Sequence, residues 1–369
     1  MINMCRDEDI NWDYVWSKQL SKDEWKHYGT LNIVERRKFL IEHNFHYKNV
    51  PRCKVCGHVF FRDFCNNEEG KSRVKLSKEE MNRNLNISFT KKLKFSRQLV
   101  KRVIKEQKGK KIYLAYSGGI DSECCVQLFK EWIKKGLITV VTGDTLVEFP
   151  ETRKRWKELQ DEIPEGKFII TRPECGISFK MIVQKYGFPI YSRGTMDRSK
   201  AEATKQCCQL LKDKPMLKAT KDIEVIILGL RKEENQYRGM TILRLGNYFY
   251  SKALKTWRVY PIAYWNIEDV WKFQEKMGFK YNLIYDKTNI NKKGFYKTIY
   301  GQIYQIRTGC WSCPQSIRTG YIEWLKEYYP RFYDALVNKL GMKNHIVWAE
   351  LEAKKQKILK KQKPCGEPL

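Results

Sequence analysis

The string SGGIDS at positions 117–122 combines residue types that suit phosphate binding. The apolar run Ile112–Tyr116 before it predicts a buried strand, and the amphipathic run up to Lys135 predicts a helix. A strand that leads directly into a helix exposes backbone N–H groups where the helix dipole is positive. The pattern therefore predicts an anion site at this turn, although an ordinary strand-to-helix turn is the competing interpretation.

The side chains of this turn divide into two kinds. Gly118 and Gly119 let the backbone approach an anion closely, and the hydroxyls of Ser117 and Ser122 can donate to phosphate oxygens. Asp121 would repel a bare phosphate, so we expect it to hold Mg²⁺ or to orient the loop. The turn is neither the GxxxxGK[ST] loop nor the GxGxxG loop.

Two arginines follow a later predicted strand, Val225–Leu228. Arg231 and Arg238 lie just beyond its carboxyl end, where open α/β sheets bind ligands. Arginine forks suit phosphate or sulfate oxygens. Ion pairs with Glu233 and Glu234 are the alternative.

Four cysteines form a CC pair and a CxxC pair, Cys207-Cys208 and Cys310/Cys313. Four thiolates fit either tetrahedral zinc or a [4Fe-4S] cluster. Adjacent cysteines strain a single-metal tetrahedron, whereas a cluster offers a separate iron to each sulfur. We therefore favour the cluster, with plain burial as a further alternative.

A second cysteine group lies near the N-terminus, where Cys53 and Cys56 form a CxxCG knuckle and Cys65 follows. The residues that could complete a structural zinc site are His46, His58 and Cys5. The alternative is three reduced cysteines in a small core. Of the remaining cysteines, we expect core positions for Cys124 and Cys125 and a packing role for Cys175.

The rest of the chain must position these groups. Helical and strand patterns alternate from Lys111 to about residue 265, which predicts an α/β fold with a mainly parallel, doubly wound sheet. We expect an N-terminal module with a charged connector over 1–92, a nucleotide-binding domain over 93–265 and a helical C-terminal region over 266–369. The predicted strands are Ile112–Tyr116, Ile138–Thr142, Phe168–Thr171 and Val225–Leu228, and the predicted helices are Glu123–Lys135, Glu151–Glu162, Phe179–Tyr186, Arg198–Leu211 and Ile267–Met277.

The 369-residue chain carries 71 Lys and Arg against 42 Asp and Glu, a formal charge of +29. This excess favours a polyanionic partner, and we expect nucleic acid rather than a merely solvated basic surface. No apolar stretch is long enough for a signal region or a bilayer crossing. The sequence therefore predicts a cytoplasmic protein without a membrane partner.

The SGGIDS string resembles the PP-loop of the ATP pyrophosphatase superfamily. Further matches resemble its phosphoadenosine phosphosulfate reductase-like branch and extend over about Lys111 to Pro314. They are Asp144-Thr145 with Phe149-Pro150-Glu151-Thr152, Gly229-Leu230-Arg231 with Glu234 and Arg238, and Pro261-Ile262 with Trp265, Asp269, Val270 and Trp271. The chain departs from that pattern at Leu146, where glycine is usual, and at Asn235, where serine is usual.

The resemblance implies an enzyme that binds ATP and Mg²⁺ through the loop 117–122. Ser117, Asp121, Arg231 and Arg238 would then be catalytic residues, with the arginines on the phosphates. The CC and CxxC pairs resemble those of cluster-bearing members, including the Dnd and Ssp enzymes of DNA phosphorothioation. This implies an ATP-dependent sulfur transferase that adenylylates an oxygen of nucleic acid, DNA being favoured, and receives sulfur from a cysteine desulfurase together with other subunits of a modification system.

Two other functions stay open. Reductases of adenylyl sulfate or its 3′-phosphorylated form use a cysteine near the C-terminus, and Cys365-Gly366 is a partial match to their motif. A binding module that has kept the fold without catalysis is the third interpretation, and the intact loop argues against it.

Overall fold

The computed structural model describes residues 78–191, 201–234 and 236–345, together with positions 23, 24, 27, 30, 31, 35, 39, 199, 348 and 351. The chain forms two compact units that are interleaved in sequence. One contains the chain up to Glu106 together with Gly229–Lys272, and the other contains Gln107–Leu228 together with Phe273 onwards. We call them the first and second units.

The helices and strands are numbered along the described chain. The helices are α1 Lys78–Asn86, α2 Phe89–Glu106, α3 Ile120–Leu128, α4 Lys130–Lys134, α5 Pro150–Gln160, α6 Phe179–Tyr186, α7 Glu202–Cys208, α8 Lys214–Ala219, α9 Gln236–Leu245, α10 Ile267–Met277, α11 Tyr321–Tyr328 and α12 Pro330–Asp334. The strands are β1 Ile112–Ala115, β2 Ile138–Gly143, β3 Phe168–Thr171, β4 Val225–Leu228, β5 Tyr248–Ser251, β6 Thr256–Val259, β7 Phe295–Lys297 and β8 Ile303–Gln305.

The second unit is built on a parallel sheet with the strand order β3-β2-β1-β4. Its central strands are apolar on both faces, and Leu114, Val140 and Ile227 are fully buried. Such continuous apolar runs are typical of parallel sheets covered by helices on both sides. The predicted α/β fold with a mainly parallel sheet is therefore confirmed.

Parallel strands place all their carboxyl ends at one edge of the sheet. At this edge β1 leads into 117–122, β2 into Asp144 and β3 into Arg172. Ligands of open α/β sheets bind outside the carboxyl ends of the strands. This edge is therefore where the second unit can hold a ligand.

The first unit combines α1, α2, α9 and the part of α10 up to Lys272 with the antiparallel pair β5-β6. Its interior contains a buried ion pair between Lys92 Nζ and Asp269 Oδ2 at 2.6 Å. Beside it, Ser96 Oγ donates to the Pro261 carbonyl at 2.7 Å and accepts from Trp265 Nε1 at 3.0 Å. The boundary expected near Lys92 thus falls inside α2, whose buried residues tie it to the segment 229–272.

Several helices differ from the predicted ones. The expected helix Glu123–Lys135 is divided at Phe129, which is fully buried and has φ −106° and ψ 10°. The expected helix Arg198–Leu211 is regular from Glu202 and continues as a π-helical turn over Gln209–Asp213. The predicted helical segment after Tyr321 is interrupted at Tyr329, because the residue before a proline disfavours helical geometry.

Within the described ranges, no helix has both the length and the apolar character that a membrane crossing needs.

Candidate nucleotide-binding site

The loop 117–122 lies between the end of β1 and the start of α3. Gly118 has φ +74°, a left-handed conformation that side-chain-bearing residues rarely adopt. Gly119 has an extended backbone and is the N-cap of α3, so the helix begins at Ile120. The first N–H groups of the helix have no partner within the helix and lie next to the loop. The structure therefore places the predicted residues as a strand, a tight turn and a helix N-terminus.

The loop serines brace the turn in this structure. Ser122 Oγ donates to the Gly119 carbonyl at 2.7 Å and accepts from the Ser117 N–H at 3.3 Å. The Gly119 N–H points at Ser117 Oγ, 3.3 Å away. The two hydroxyls predicted as phosphate donors thus also fix the loop conformation, and a bound phosphate would replace part of this internal bonding.

A distant segment of the same unit forms a second wall of the loop. The Ile120 N–H donates to Tyr285 Oη at 3.1 Å, and Asn282 Nδ2 donates to the Gly118 carbonyl at 3.2 Å. A Cβ added at Gly119 would lie 2.9 Å from Thr308 Oγ1, so this position has room only for glycine. No signal in the sequence pointed to Asn282, Tyr285 and Thr308, because more than 160 positions separate each of them from the loop residue beside it and no local pattern links them.

Asp121 lies in the first turn of α3. Its negative charge adds to burial in raising the pKa of the Cys125 thiol, so Cys125 stays a protonated core residue. A carboxylate in the first turn is favoured by the helix dipole. Because Mg²⁺ is commonly held by one or two carboxylates together with substrate phosphates, Asp121 fits the predicted metal role.

Buried charged residues connect α3 to α5. Glu123, fully buried, accepts two hydrogen bonds from Arg155 of α5, at 2.7 Å from Nε and 3.1 Å from Nη2. The Tyr116 hydroxyl also donates to Glu123. Burial raises the pKa of Glu123, while the Arg155 guanidinium acts to lower it. The network ties the loop's flanking residue, Tyr116, and its helix to α5.

At the end of β2, Asp144 is almost fully buried and accepts three hydrogen bonds. Its donors are the Leu146 N–H at 2.9 Å, Arg153 Nη2 at 3.0 Å and Arg172 Nε at 3.4 Å. Two guanidinium groups from different elements thus converge beside this carboxylate, at the same sheet edge as the loop.

Leu146 stands where glycine is usual in the family that the sequence resembles, and its backbone conformation is unfavourable for leucine. It has φ +69° and is 49% exposed, so its side chain gains little packing for an unfavourable backbone conformation. We expect Leu146→Gly to raise the free energy of unfolding by about 1 kcal/mol, as judged by urea denaturation. The control Leu137→Gly, at a similarly exposed leucine without positive φ, should be neutral or destabilising; equal losses in both variants would contradict the strain argument.

The four cysteines of the CC and CxxC pairs belong to the second unit. Cys207 and Cys208 end α7, and the Cys313 N–H donates to the Cys310 carbonyl at 3.1 Å. The Trp311 N–H in the same turn donates to the Val147 carbonyl at 2.9 Å, which fixes the CxxC turn against the segment that follows Asp144.

The thiols interact with one another electrostatically. Burial raises the pKa of Cys313, and Cys208 adds to the shift. Burial also holds the pKa of Cys310 far above its usual range, with contributions from Glu148 and Cys313. Cys310 Sγ lies 3.1 Å from Thr145 Oγ1 and 3.9 Å from Glu148 Oε1.

The described cysteines do not form a preassembled single-ion site. Among the described residues, no three Cys, His, Asp or Glu side chains converge closely enough to hold a metal ion. A [4Fe-4S] cluster spaces its thiolates more widely than a single zinc ion does, because each cysteine binds a different iron. The four thiols keep the donor chemistry that a cluster or a zinc ion requires, and the choice between the two stays a prediction from the sequence.

The predicted arginines lie in the first unit. Arg231 is 2% exposed, and its Nη1 donates to Glu233 at 2.8 Å while its N–H donates to Glu234. Arg238 forms an ion pair with Glu234. Both guanidinium groups thus make the ion pairs that the sequence left open as an alternative.

The remaining candidates divide between the core, the surface and the undescribed chain. Cys124 and Cys125 are buried, and Cys175 is exposed. The proposed zinc ligands and the C-terminal cysteine lie outside the described residues, namely Cys5, His46, Cys53, Cys56, His58, Cys65 and Cys365.

A parallel α/β sheet with a glycine-containing phosphate loop at its carboxyl edge defines a nucleotide-binding protein. The family model described as phosphoadenosine phosphosulfate reductase domain matches residues 111–316. The chain belongs to this family and is one of its enzymes.

Named relatives agree with this family. The chain is 25% identical over 183 residues to an adenosine 5′-phosphosulfate reductase of Lysinibacillus sphaericus, which covers 49% of this chain and 71% of the relative. It is 23% identical over 180 residues to adenosine 5′-phosphosulfate reductase 1 of Bacillus subtilis, with coverages of 48% and 70%.

Two solved structures have lower similarity. One is the phosphoadenylyl-sulfate reductase of Candida auris in a phosphate complex, at TM-score 0.37 and 16% identity, covering 58% of this chain and 93% of that one. The other is the U34-tRNA thiolase NcsA of Methanococcus maripaludis with its [4Fe-4S] cluster, at TM-score 0.34 and 15% identity, with coverages of 71% and 82%.

Proposed function

We propose that this enzyme reduces a sulfated adenine nucleotide, adenylyl sulfate or its 3′-phosphorylated form. The observation that carries the proposal is the loop 117–122, a left-handed glycine followed by a helix N-terminus at the carboxyl end of a parallel strand. The match to the reductase domain over 111–316, and relatives named as adenosine 5′-phosphosulfate reductases, support this substrate class. The sulfur-transferase function expected from the sequence becomes the second candidate.

The reaction needs a thiolate as nucleophile. The thiolate sulfur attacks the sulfur of the sulfate group, an S–S bond forms, and the nucleotide leaves with the electron pair of the broken S–O bond. A second thiolate then attacks the cysteine sulfur, so that sulfite leaves and a disulfide forms. The two electrons come from a dithiol donor such as thioredoxin.

In this scheme the residues of the second unit bind and orient the nucleotide. The N–H groups at the start of α3 and the hydroxyls of Ser117 and Ser122 would receive the phosphate oxygens. Asp121 would hold Mg²⁺ when the ligand is ATP. Tyr285 and Thr308 would limit the space around Gly119 and so fix the direction from which the phosphate enters.

We further propose that Cys207, Cys208, Cys310 and Cys313 hold a [4Fe-4S] cluster. When bound, the cluster would supply a centre capable of electron transfer. Thr308, which contacts the loop, lies two residues before Cys310. The cysteine turn therefore continues directly from the wall of the nucleotide loop.

One experiment separates the two functions. Anaerobically purified protein should form sulfite from adenylyl sulfate and reduced thioredoxin, and Ser117→Ala should lower the rate at least about tenfold because a hydrogen bond to a charged group is lost. Ser251→Ala, in β5, serves as the matched control. Pyrophosphate release from ATP without any sulfite formation would overturn the reductase proposal and favour the second candidate.

The second candidate is ATP-dependent sulfur transfer to nucleic acid, most simply DNA. The net charge of +29 favours it, because a reductase of a small nucleotide has no need for so large a positive excess. A desulfurase and other modification subunits would then be the partners, and the loop would bind ATP instead of a sulfated nucleotide.

Helix α2 concentrates part of this charge on one face. Lys94, Arg97, Lys101 and Lys105 are exposed and recur at spacings of three or four residues, which places them along one side of the helix. Within the described part of the chain, none of the four forms an ion pair. We call these residues the α2 basic strip, whose length of about 17 Å spans several phosphates of a duplex.

If nucleic acid is the substrate, neutralising the α2 basic strip should weaken duplex binding and reduce its salt dependence. Changing all four residues to glutamine should lower the slope of log K against log salt by up to about 0.9 per lost phosphate contact. The control replaces the exposed Lys130, Lys134, Lys135 and Lys154 with glutamine, for the same change in charge. Equal slopes for the two variants would exclude the strip as the binding surface.

A further inference from the structure

Trp156 carries a buried hydrogen-bond donor that the protein does not use. It is 3% exposed, on the inner face of α5. Its indole Nε1 is buried and has no hydrogen-bond partner among the described residues. Buried donors are nearly always paired, because an unpaired one loses its hydrogen bond to water and gains nothing in exchange.

This N–H lies against the phosphate loop. A Cβ built on Gly118 would be 3.0 Å from Trp156 Nε1 and 3.1 Å from Thr152 Cγ2. The indole edge therefore packs directly on the Cα of Gly118, the left-handed residue of the loop. Glycine is required here both by its φ of +74° and by the space that the indole occupies.

The helix that carries the indole is hydrogen-bonded to the loop through Asn282. Thr152, one turn earlier on α5, accepts from Asn282 Nδ2 at 3.0 Å, and Asn282 also donates to the Gly118 carbonyl. These two hydrogen bonds connect α5 to the loop one turn before Trp156. The unpaired donor therefore belongs to a helix that is tied to the loop.

A cavity with charged walls lies beside Trp156. Trp156 also lines a cavity of about 670 Å³ at the sheet edge, together with Arg153, Arg172 and Asp144. This volume is in the range of small-molecule sites. The charged lining is balanced overall, with Arg153, Lys157 and Arg172 against Asp144, Asp161 and Glu165, and positive charge is concentrated only where Arg153 and Arg172 meet beside Asp144.

We propose that the indole N–H of Trp156 donates a hydrogen bond to a phosphate or sulfate oxygen of the nucleotide held by the loop 117–122. Trp156 is then a specificity residue that requires an anionic oxygen on the Gly118 side of the loop. This inference rests on the proposed nucleotide site, but not on whether the ligand is ATP or a sulfated nucleotide.

The test is Trp156→Phe, which keeps an aromatic ring and removes the N–H. Stability and affinity should change in opposite directions. The protein without nucleotide should keep its melting temperature or gain about 2 °C, because an unpaired donor is removed. Affinity for adenylyl sulfate and ATP, measured by calorimetry, should fall at least about tenfold, because a hydrogen bond to a charged oxygen is lost. Trp132→Phe, on α4, is the control and should leave affinity unchanged.

A second measurement follows the unchanged protein and uses the variant only to assign one signal. The eleven tryptophans of the chain give separate indole signals in ¹⁵N-labelled protein, and Trp156→Phe identifies the one of interest. Pyrophosphate or ATP should move the Trp156 indole signal downfield, and adenosine, which lacks the anionic oxygens, should not.

The outcomes distinguish this inference from the proposed site. If nucleotide binds, Ser117→Ala weakens binding and the Trp156 signal stays in place, the Trp156 inference is wrong and the loop site stands. If neither ATP nor adenylyl sulfate binds at all, both are wrong. Trp156→Phe could lose both stability and affinity while the Trp156 indole signal of the unchanged protein does not move when pyrophosphate or ATP is added. That combination would assign Trp156 a packing role only.

Discussion

Arg155→Met is expected to lower the free energy of unfolding by about 3–5 kcal/mol at pH 7.5, because it leaves the carboxylate of Glu123 buried without its partner. Glu123 is fully buried and Arg155 is 3% exposed, so water cannot replace the lost ion pair. Chemical or thermal denaturation would measure the effect. The control Arg153→Met removes a neighbouring arginine of α5 that is about half exposed in its own ion pair, so the loss there should stay below about 1 kcal/mol.

The loss in Arg155→Met should also depend on pH. Burial raises the pKa of Glu123, and Arg155 opposes that shift. Without Arg155 the pKa rises further, so folding favours the protonated carboxyl even more. The free-energy penalty for holding Glu123 ionised in the folded protein is absent below the pKa that Glu123 has in the unfolded chain. It grows as the pH rises through the pKa that Glu123 has in the folded protein. The stability difference between the variant and the unchanged protein should therefore shrink from pH 7.5 towards about pH 5.

The double variant Glu123→Gln/Arg155→Met separates charge from packing. If an unpaired charge causes the loss, the double variant should recover a large part of the stability and show little dependence on pH. A double variant as unstable as Arg155→Met at every pH would assign the effect to packing.

Cys310→Ala is expected to abolish the visible absorption of the anaerobic protein. Cysteine-ligated iron-sulfur centres commonly absorb near ~400 nm, and loss of one of four thiolates removes the ligand of one iron. Cys208→Ala should have the same effect, although Cys208 lies on α7, about 100 residues earlier in the chain. Both results would follow from one cluster held by two segments.

Cys175→Ala is the matched control for these variants, because Cys175 is exposed. Its spectrum and iron content should equal those of the unchanged protein. An unchanged protein that is colourless and contains no iron after anaerobic purification would contradict the cluster proposal, but would leave the nucleotide loop untouched.

The sequence predicted several helices and strands well where their signals are local. Phe168–Thr171, Phe179–Tyr186, Val225–Leu228 and Ile267–Met277 begin and end in the structure at the predicted residues. Continuous apolar runs indicate buried strands, and polar or glycine residues mark their ends. The break at Phe129 was not predictable in the same way, because the residue has no helix-breaking chemistry of its own.

The candidate site was predictable only in part. The strand, the two glycines and the helix start of the loop are adjacent in sequence, so their chemistry can be inferred without a fold. Tyr285, Thr308 and Trp156 reach the loop from elements that are distant in sequence. Their residue types are common in protein cores, and only their contacts distinguish them.

The sequence by itself thus determined the parallel α/β class, the strand-to-helix turn at 117–122 and the reductase-like family, because each depends on local residue order. The tertiary structure alone decided that Gly229–Lys272 joins the first unit and that Arg231 pairs with Glu233. It also decided that Trp156 presents an unpaired N–H to Gly118. The physical reason is that pairing and burial are properties of residues that meet in space, and a chain's linear order does not specify which distant residues meet.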